Sequence, residues 1–92
     1  MRPRFVWDPR KAQSNVSKHG ITFAEAMSVF ENPMAKIVPD PEHSLDEHRE
    51  ILVGYSASER LLVVSFTERA NATVRIISAR PATRQERGRY ES

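Results

Sequence analysis

Three apolar runs, Glu50–Tyr55, Leu61–Glu68 and Thr73–Ala79, are joined by turns of only a few residues around Ala57-Ser58-Glu59 and Ala70-Asn71. Each run is dense in Val, Ile and Leu, the composition of a strand that packs one face against a core. Connections this short make antiparallel neighbours, because a parallel pair needs a crossover of about a dozen residues or more. Much of the chain is thereby committed to a meander.

The remaining segments fit around it. Arg4–Trp7 reads as a short first strand, and Asp8-Pro9 opens a helix that runs to about Lys18 and stops at Gly20. Asp is a favoured N-cap, proline at the first helical position has no N–H to leave unsatisfied, and glycine supplies the left-handed stop. Thr22-Phe23-Ala24-Glu25 predicts a capping box, and Phe23, Ala26, Met27 and Phe30 then mark one apolar helical face. A strand is expected near Ala35–Val38. The stretch from Pro39 to His48 is too rich in proline and acid to be regular and reads as an exposed loop. Thr83-Arg84-Gln85-Glu86 predicts a second capping box and a last helix to about Tyr90. The expected order is β-α-α-β-β-β-β-α, an α+β fold with a curved antiparallel sheet and its helices on one side. No repeat or linker interrupts it, so residues 1–92 are expected to form one domain.

Composition narrows the chemistry. The absence of cysteine removes disulfides, thiolate nucleophiles and sulfur-bound zinc. The first residues carry no apolar signal segment, and the longest apolar run, Leu61-Leu62-Val63-Val64, is far short of the roughly 20 residues that span a bilayer. A cytoplasmic protein without membrane contact is the expectation. The net charge of +2 conceals an uneven distribution. Residues 1–19 hold five Lys/Arg and one acid, residues 20–68 three and nine, residues 69–92 six and two. If the termini meet, they build a basic face suited to a polyanion. A merely solvated surface is the plainer alternative.

Strand alternation arranges the candidate site. Leu61, Val63, Ser65, Thr67 and Arg69 should share one face, and Val74, Ile76, Ser78 and Arg80 one face of the next strand. Glu68 should point the other way unless a bulge re-aims it. Cleaving RNA without a metal needs a base for the 2′-hydroxyl, cations for the charge gathering on phosphate, and an acid for the leaving oxygen. His19, Glu68 and Tyr90 are candidate proton carriers, and Lys18, Arg69, Arg75, Arg80 and Arg84 candidate cations. Lys11, Asn15 and Lys18 form a polar stripe on the first helix. Against this, His19 before Gly20 is also a residue that suits a helix C-terminus. Arg69 and Arg80 are equally partners for the central acids, Tyr90 a packing aromatic and Trp7 a core residue. His43 and His48, among Asp40, Glu42, Asp46 and Glu47, match no metal signature, and no metal or other cofactor is expected. No glycine-rich phosphate loop or G-x-S-x-G elbow is present.

Trp7-Asp8-Pro9-Arg10-Lys11, Asn15, Lys18-His19-Gly20-Ile21-Thr22-Phe23, and Ala26 with Val29-Phe30 resemble the N-terminal signature of the BrnT family. The resemblance continues in Leu61–Val64, Thr67-Glu68-Arg69, Arg75-Ile76-Ile77-Ser78-Ala79-Arg80, Thr83, Glu86-Arg87 and Tyr90. It implies a ribonuclease toxin of a type II toxin–antitoxin pair with a RelE-like fold, which cleaves RNA and arrests growth. It implies a BrnA-like antitoxin as partner and operator DNA reached only through that antitoxin. It also implies metal-free chemistry on a concave sheet face, for which Lys18, His19, Glu68, Arg69, Arg80 and Tyr90 are the candidate catalytic residues. Lys11, Asn15, Arg75 and Arg84 are then the candidate RNA-binding residues. Two rivals remain at this level: a non-enzymatic nucleic-acid-binding module, and an interaction subunit whose acidic middle binds a basic partner.

Overall fold

In a computed structural model, residues 3–40 and 48–92 are described. The candidate loop residues Glu42, His43, Asp46 and Glu47 lie outside them. The elements follow the expected order: β1 Arg4–Val6, α1 Pro9–His19, α2 Phe23–Phe30, β2 Lys36–Pro39, β3 Glu50–Tyr55, β4 Leu61–Arg69, β5 Thr73–Pro81 and α3 Arg84–Glu91. The caps behave as their chemistry dictates. The Asp8 carboxylate accepts from Arg10 N, and Gly20 stops α1 at φ 69°. Thr22 and Thr83 cap α2 and α3. The box is complete only at Thr83, where the Glu86 carboxylate accepts from Thr83 N at 2.9 Å. Glu25 turns away instead to an ion pair with Arg60 and a hydrogen bond from Ser56. That ties α2 to the β3–β4 turn.

The sheet runs β1-β5-β4-β3-β2. The meander is antiparallel as expected, but β1 pairs with β5 in parallel, so the sheet is mixed. The intervening helices and strands supply the long crossover that a parallel pair needs. This pairing brings the two basic ends of the chain together. The core lies between the sheet and α1–α2. Ile21, Phe23, Ala26 and Val29 meet Leu52, Leu62, Val64, Phe66, Val74, Ile76 and Ala79, all buried. Phe5, Phe30 and Phe66 stack edge to face in a chain, and Trp7 stands against Phe23 at 5.8 Å, which makes it a core residue. At Gly54 an added Cβ would lie 2.7 Å from Ala35 Cβ, so only glycine admits this approach of β3 to the start of β2. The β4–β5 turn puts both Asn71 (φ 62°) and Ala72 (φ 54°) in the left-handed region, which asparagine tolerates better than alanine.

Two features depart from the sequence expectation. First, the helices do not share one side: α3 lies across the opposite face, where Glu86, Arg89 and Tyr90 wall a groove floored by Val38, Ile51, Val53 and Val63. Second, the β4–β5 register slips between Ser65 and Phe66, so that Ser65 faces Ser78 while Phe66 faces Ile76. Ile77 is the extra residue of a β-bulge. Val74 and Ile76 therefore point to the core, whereas Ser78 and Arg80 point to the open face. Simple alternation had placed all four together.

β1 is only three residues long, so β5 beyond Arg75 has a free edge, and α1 fills it. Asn15, 4 % exposed, donates from Nδ2 to Ala79 O and to Ile21 O, both at 2.8 Å, and accepts from Ala79 N at 3.0 Å. One side-chain amide thus does what a neighbouring strand would do for Ala79. Asn15→Ala would orphan these backbone groups and is expected to cost about 3 kcal/mol. Thermal unfolding checks this, with Tm falling by roughly 10 °C or more. An unchanged Tm would remove the clasp from the fold's support.

Candidate functional site

The register assigns every charged strand residue to a side. Arg4, Lys36, Arg69, Arg75 and Arg80 are the strands' cations, and all five fall on the open face: Lys36, Val53, Val63 and Arg80 form one cross-strand row, and Val6, Arg75 and Thr67 another. Arg4 and Arg69 both flank Thr73. The strands' two acids, Glu50 and Glu68, fall on the other face. A basic open face is therefore a property of the register. Across from Arg75, Thr67 has a buried hydroxyl with no hydrogen-bond partner.

Arg80 is held rather than free. Its two terminal nitrogens grip Glu86 Oε1 and Oε2 at 2.7 and 2.8 Å, while Glu86 also closes the α3 capping box. The Arg80 hydrogen bonds lower the Glu86 pKa to about 2 against the opposing effect of burial, with help from Thr83 N. Tyr90 anchors the other end of α3. Its hydroxyl donates to Met34 O at 2.8 Å, its ring meets Tyr55 edge on, and the Lys36 ammonium lies 5.3 Å from the ring centre. Tyr55 in turn donates to Glu91 and accepts from Arg87. Arg84, exposed, opens the same helix.

The α1 residues gather elsewhere. Lys11, Ser14, Lys18 and His19 line a hollow of about 170 Å³ with Asn15, Ile77 and Ser78, at the free edge of β5. Asn15 contributes little to ligand contact there, since its amide is committed to the backbone. Ser78 is the link between the two places, because it lines the hollow and precedes Arg80 by one alternation on the open face. Glu68 joins neither. It sits on the α2 side beside Glu50, whose pKa is raised by burial first and then by Glu68.

Of the ten residues singled out from sequence, four thus share the hollow (Lys11, Asn15, Lys18, His19) and three strand arginines and Tyr90 belong to the open face and its wall. The sequence reading did not single out Arg4, Lys36, Ser78 and Glu86 as site residues. Alternation in β1 and β2 would have found the first two, but Ser78 and Arg80 needed the bulge. Among the described residues, no three His, Cys, Asp or Glu side chains group as a metal site, and no helix is long and apolar enough to cross a membrane.

The Glu86 pair makes a pH prediction with a definite sign. A carboxylate whose pKa is depressed on folding stabilises above its ordinary value of 4.5 and loses that contribution as pH falls toward 2. Docking of α3, followed by the Tyr90 ring or Gly88 amide resonances, should hold at pH 5 and loosen between 4.5 and 2. Glu86→Gln should abolish this acid step; a step that persists in the variant would assign it to other groups.

The comparisons agree with this architecture. A family model described as the ribonuclease toxin BrnT of type II toxin–antitoxin systems matches residues 7–86. A crystal structure of the Brucella abortus ribonuclease toxin BrnT is similar, with a TM-score of 0.70 and 25 % identity, covering 89 % of this chain and 99 % of that one. No curated protein matches the chain. With 80 of its 92 residues matched, the chain belongs to the BrnT family of ribonuclease toxins of type II toxin–antitoxin systems.

Proposed function

We propose that this toxin binds single-stranded RNA across the cation-bearing half of its open face and cleaves it at the α1–β5 hollow, with side chains alone supplying the proton transfers and charge. The observation that carries this reading is the sorting of all five strand cations to one face and both strand acids to the other. A phosphate backbone is the polyanion such a face suits. Arg69 and Arg75, with Arg4 beside them, hold the strand, and Ser78 leads it over the β5 edge to Lys11, Lys18 and His19.

In the hollow, His19 takes the proton of a 2′-hydroxyl, whose oxygen attacks the adjacent phosphorus. Lys11 and Lys18 neutralise the charge that grows on the phosphate oxygens, and the Lys18 ammonium protonates the departing 5′-oxygen. The bond to that oxygen breaks as the new one forms, leaving a 2′,3′-cyclic phosphate. Arg80 and Tyr90 serve the reaction by fixing α3 against the sheet, and Glu68 faces away from it. A BrnA-like antitoxin as the family partner, operator DNA reached through that partner, and a cytoplasmic site of action complete the reading.

His19→Ala and Lys18→Ala should each lower RNA cleavage about 10²-fold or more. Stability should change by less than about 1 kcal/mol, since both are exposed. Cleavage and Tm measured on the same preparations, with a chelator present, test this. Full activity in either variant removes that residue from the mechanism. Binding gives a second check: each phosphate contact contributes a log–log salt slope of about −0.7, so Arg69→Ala and Arg75→Ala should each flatten the slope by about that amount. An unchanged slope in both variants would show that RNA lies elsewhere. RNA bound by the unaltered chain but never cut would favour a non-enzymatic binding module.

A further inference from the structure

The half of the open face away from the strand arginines is apolar along its strands, and among the described residues its edge is uncovered. β2 is the last strand of the sheet, and among the described residues no strand pairs with its outer side. All four of its residues are exposed. Among the described residues four large apolar side chains are notably exposed, and three lie here in five residues: Met34 (71 %), Ile37 (56 %) and Val38 (41 %). Ile37 lies on the core side of the sheet, opposite Leu52, and Val38 on the open side, opposite Ile51. Val38 continues inward as the floor of the 440 Å³ groove, with Ile51, Val53 and Val63.

A bare strand edge with apolar residues on both faces is a template for another strand, and proteins usually defend such edges with lysine or proline. Pro39 does limit pairing at one end, having no N–H. Lys36 does not guard the other, because its ammonium is drawn over the Tyr90 ring. We propose that β2 is the docking edge for the antitoxin: an extended antitoxin segment adds there as a sixth strand, alternating apolar and acidic residues. This rests on the toxin–antitoxin reading.

Charge selects that occupant. The groove beside Val38 is rimmed by Lys36 and Arg89, and its carboxylate, Glu86, is already neutralised by Arg80. A strand with acidic side chains toward the groove meets two cations, whereas a second copy of β2 brings another lysine and no acid. RNA would also meet the two rim cations, but it cannot continue the backbone hydrogen bonding of β2, and the groove floor offers it only valine and isoleucine. A segment seated at β2 enters the groove from the side opposite the proposed RNA path, and its continuation over Val63 reaches the Arg80 row. Side-chain alternation would give specificity, and backbone pairing affinity, as in other strand-addition complexes.

The test uses the full chain with its cognate antitoxin. In the unaltered complex, the β2 amides that point away from β3, every second one along the strand, should gain hydrogen-exchange protection. The double variant Ile37→Lys, Val38→Lys places charge on both sides of the edge at exposed positions, so it should fold normally. It should bind the antitoxin at least 100-fold more weakly, escape neutralisation, and cleave RNA as the unaltered chain does. Full antitoxin affinity in a folded variant, or no protection of β2, overturns the proposal. So does loss of RNA cleavage in a folded variant, which would give the edge to RNA, and so does a free-chain dimer that the variant abolishes. Should the variant unfold, Val38→Thr with the exchange measurement decides alone. Failure of the ribonuclease reading shows separately, as no cleavage by the unaltered chain despite complex formation. No complex with the unaltered chain overturns the pairing and the docking edge together.

Discussion

Between Ser65 and Phe66 the pairing of β4 with β5 slips by one residue, and the consequences run through the whole molecule. Up to Ile76, β5 turns its apolar side chains toward α1 and α2. Past Ile77 the phase is inverted, so Ala79 fills the core while Ser78 and Arg80 emerge on the other side. Without the extra residue, the side chain at Arg80 would enter the core, where an unpaired guanidinium is prohibitively costly. With it, Arg80 meets Glu86, and Glu86 caps α3. Past the bulge β1 is too short to cover the other edge of β5, and Asn15 meets that need. The side taken by Ser78 and Arg80, and through Arg80 the seating of the last helix, therefore depend on one irregularity.

Electrostatics follows from the same geometry. On the open face the strand cations lie toward β1 and β5, apart from Lys36, which stands over the Tyr90 ring. The apolar residues lie toward β2 and β3, partly covered by α3. Arg80 and Val63 stand side by side at the boundary. One face thus presents two chemically different halves, one suited to a phosphate backbone and one to a polypeptide. A toxin that must bind a nucleic acid when free and a protein when restrained has use for both.

Much of this was legible in the sequence. The short turns after Tyr55 and Arg69 dictated antiparallel pairing, and Asp8-Pro9, Gly20, Thr22 and Thr83 marked helix ends within a residue or so. The clustering of basic residues at both ends anticipated a basic face, which the β1–β5 pairing assembles. What alternation could not reveal was the bulge, because Ile77 is as apolar as its neighbours and nothing local marks it as extra. Asn15 was misleading for a related reason. A polar residue in a polar helical stripe reads as surface, and only the shortness of β1 makes an amide necessary inside. The side of the sheet taken by α3 was equally hidden, since its helix has no pronounced apolar face and is held by hydrogen bonds to Arg80, Met34 O and the Tyr55 hydroxyl.

The acids on the opposite face show what the segregation of charge costs. Glu50 and Glu68 lie together because both strand acids share the α2 side, and burial together with this like-charge neighbour raises the Glu50 pKa. A carboxyl whose pKa is raised on folding disfavours the native state once both forms are ionised, so this contact opposes folding as pH rises through its titration, opposite in sign to Glu86. Moving either acid to the open face would relieve the repulsion and weaken the field that a polyanion meets. The fold keeps a slightly unfavourable pair on one side of the sheet, and the charged strand residues of the other side are all cations.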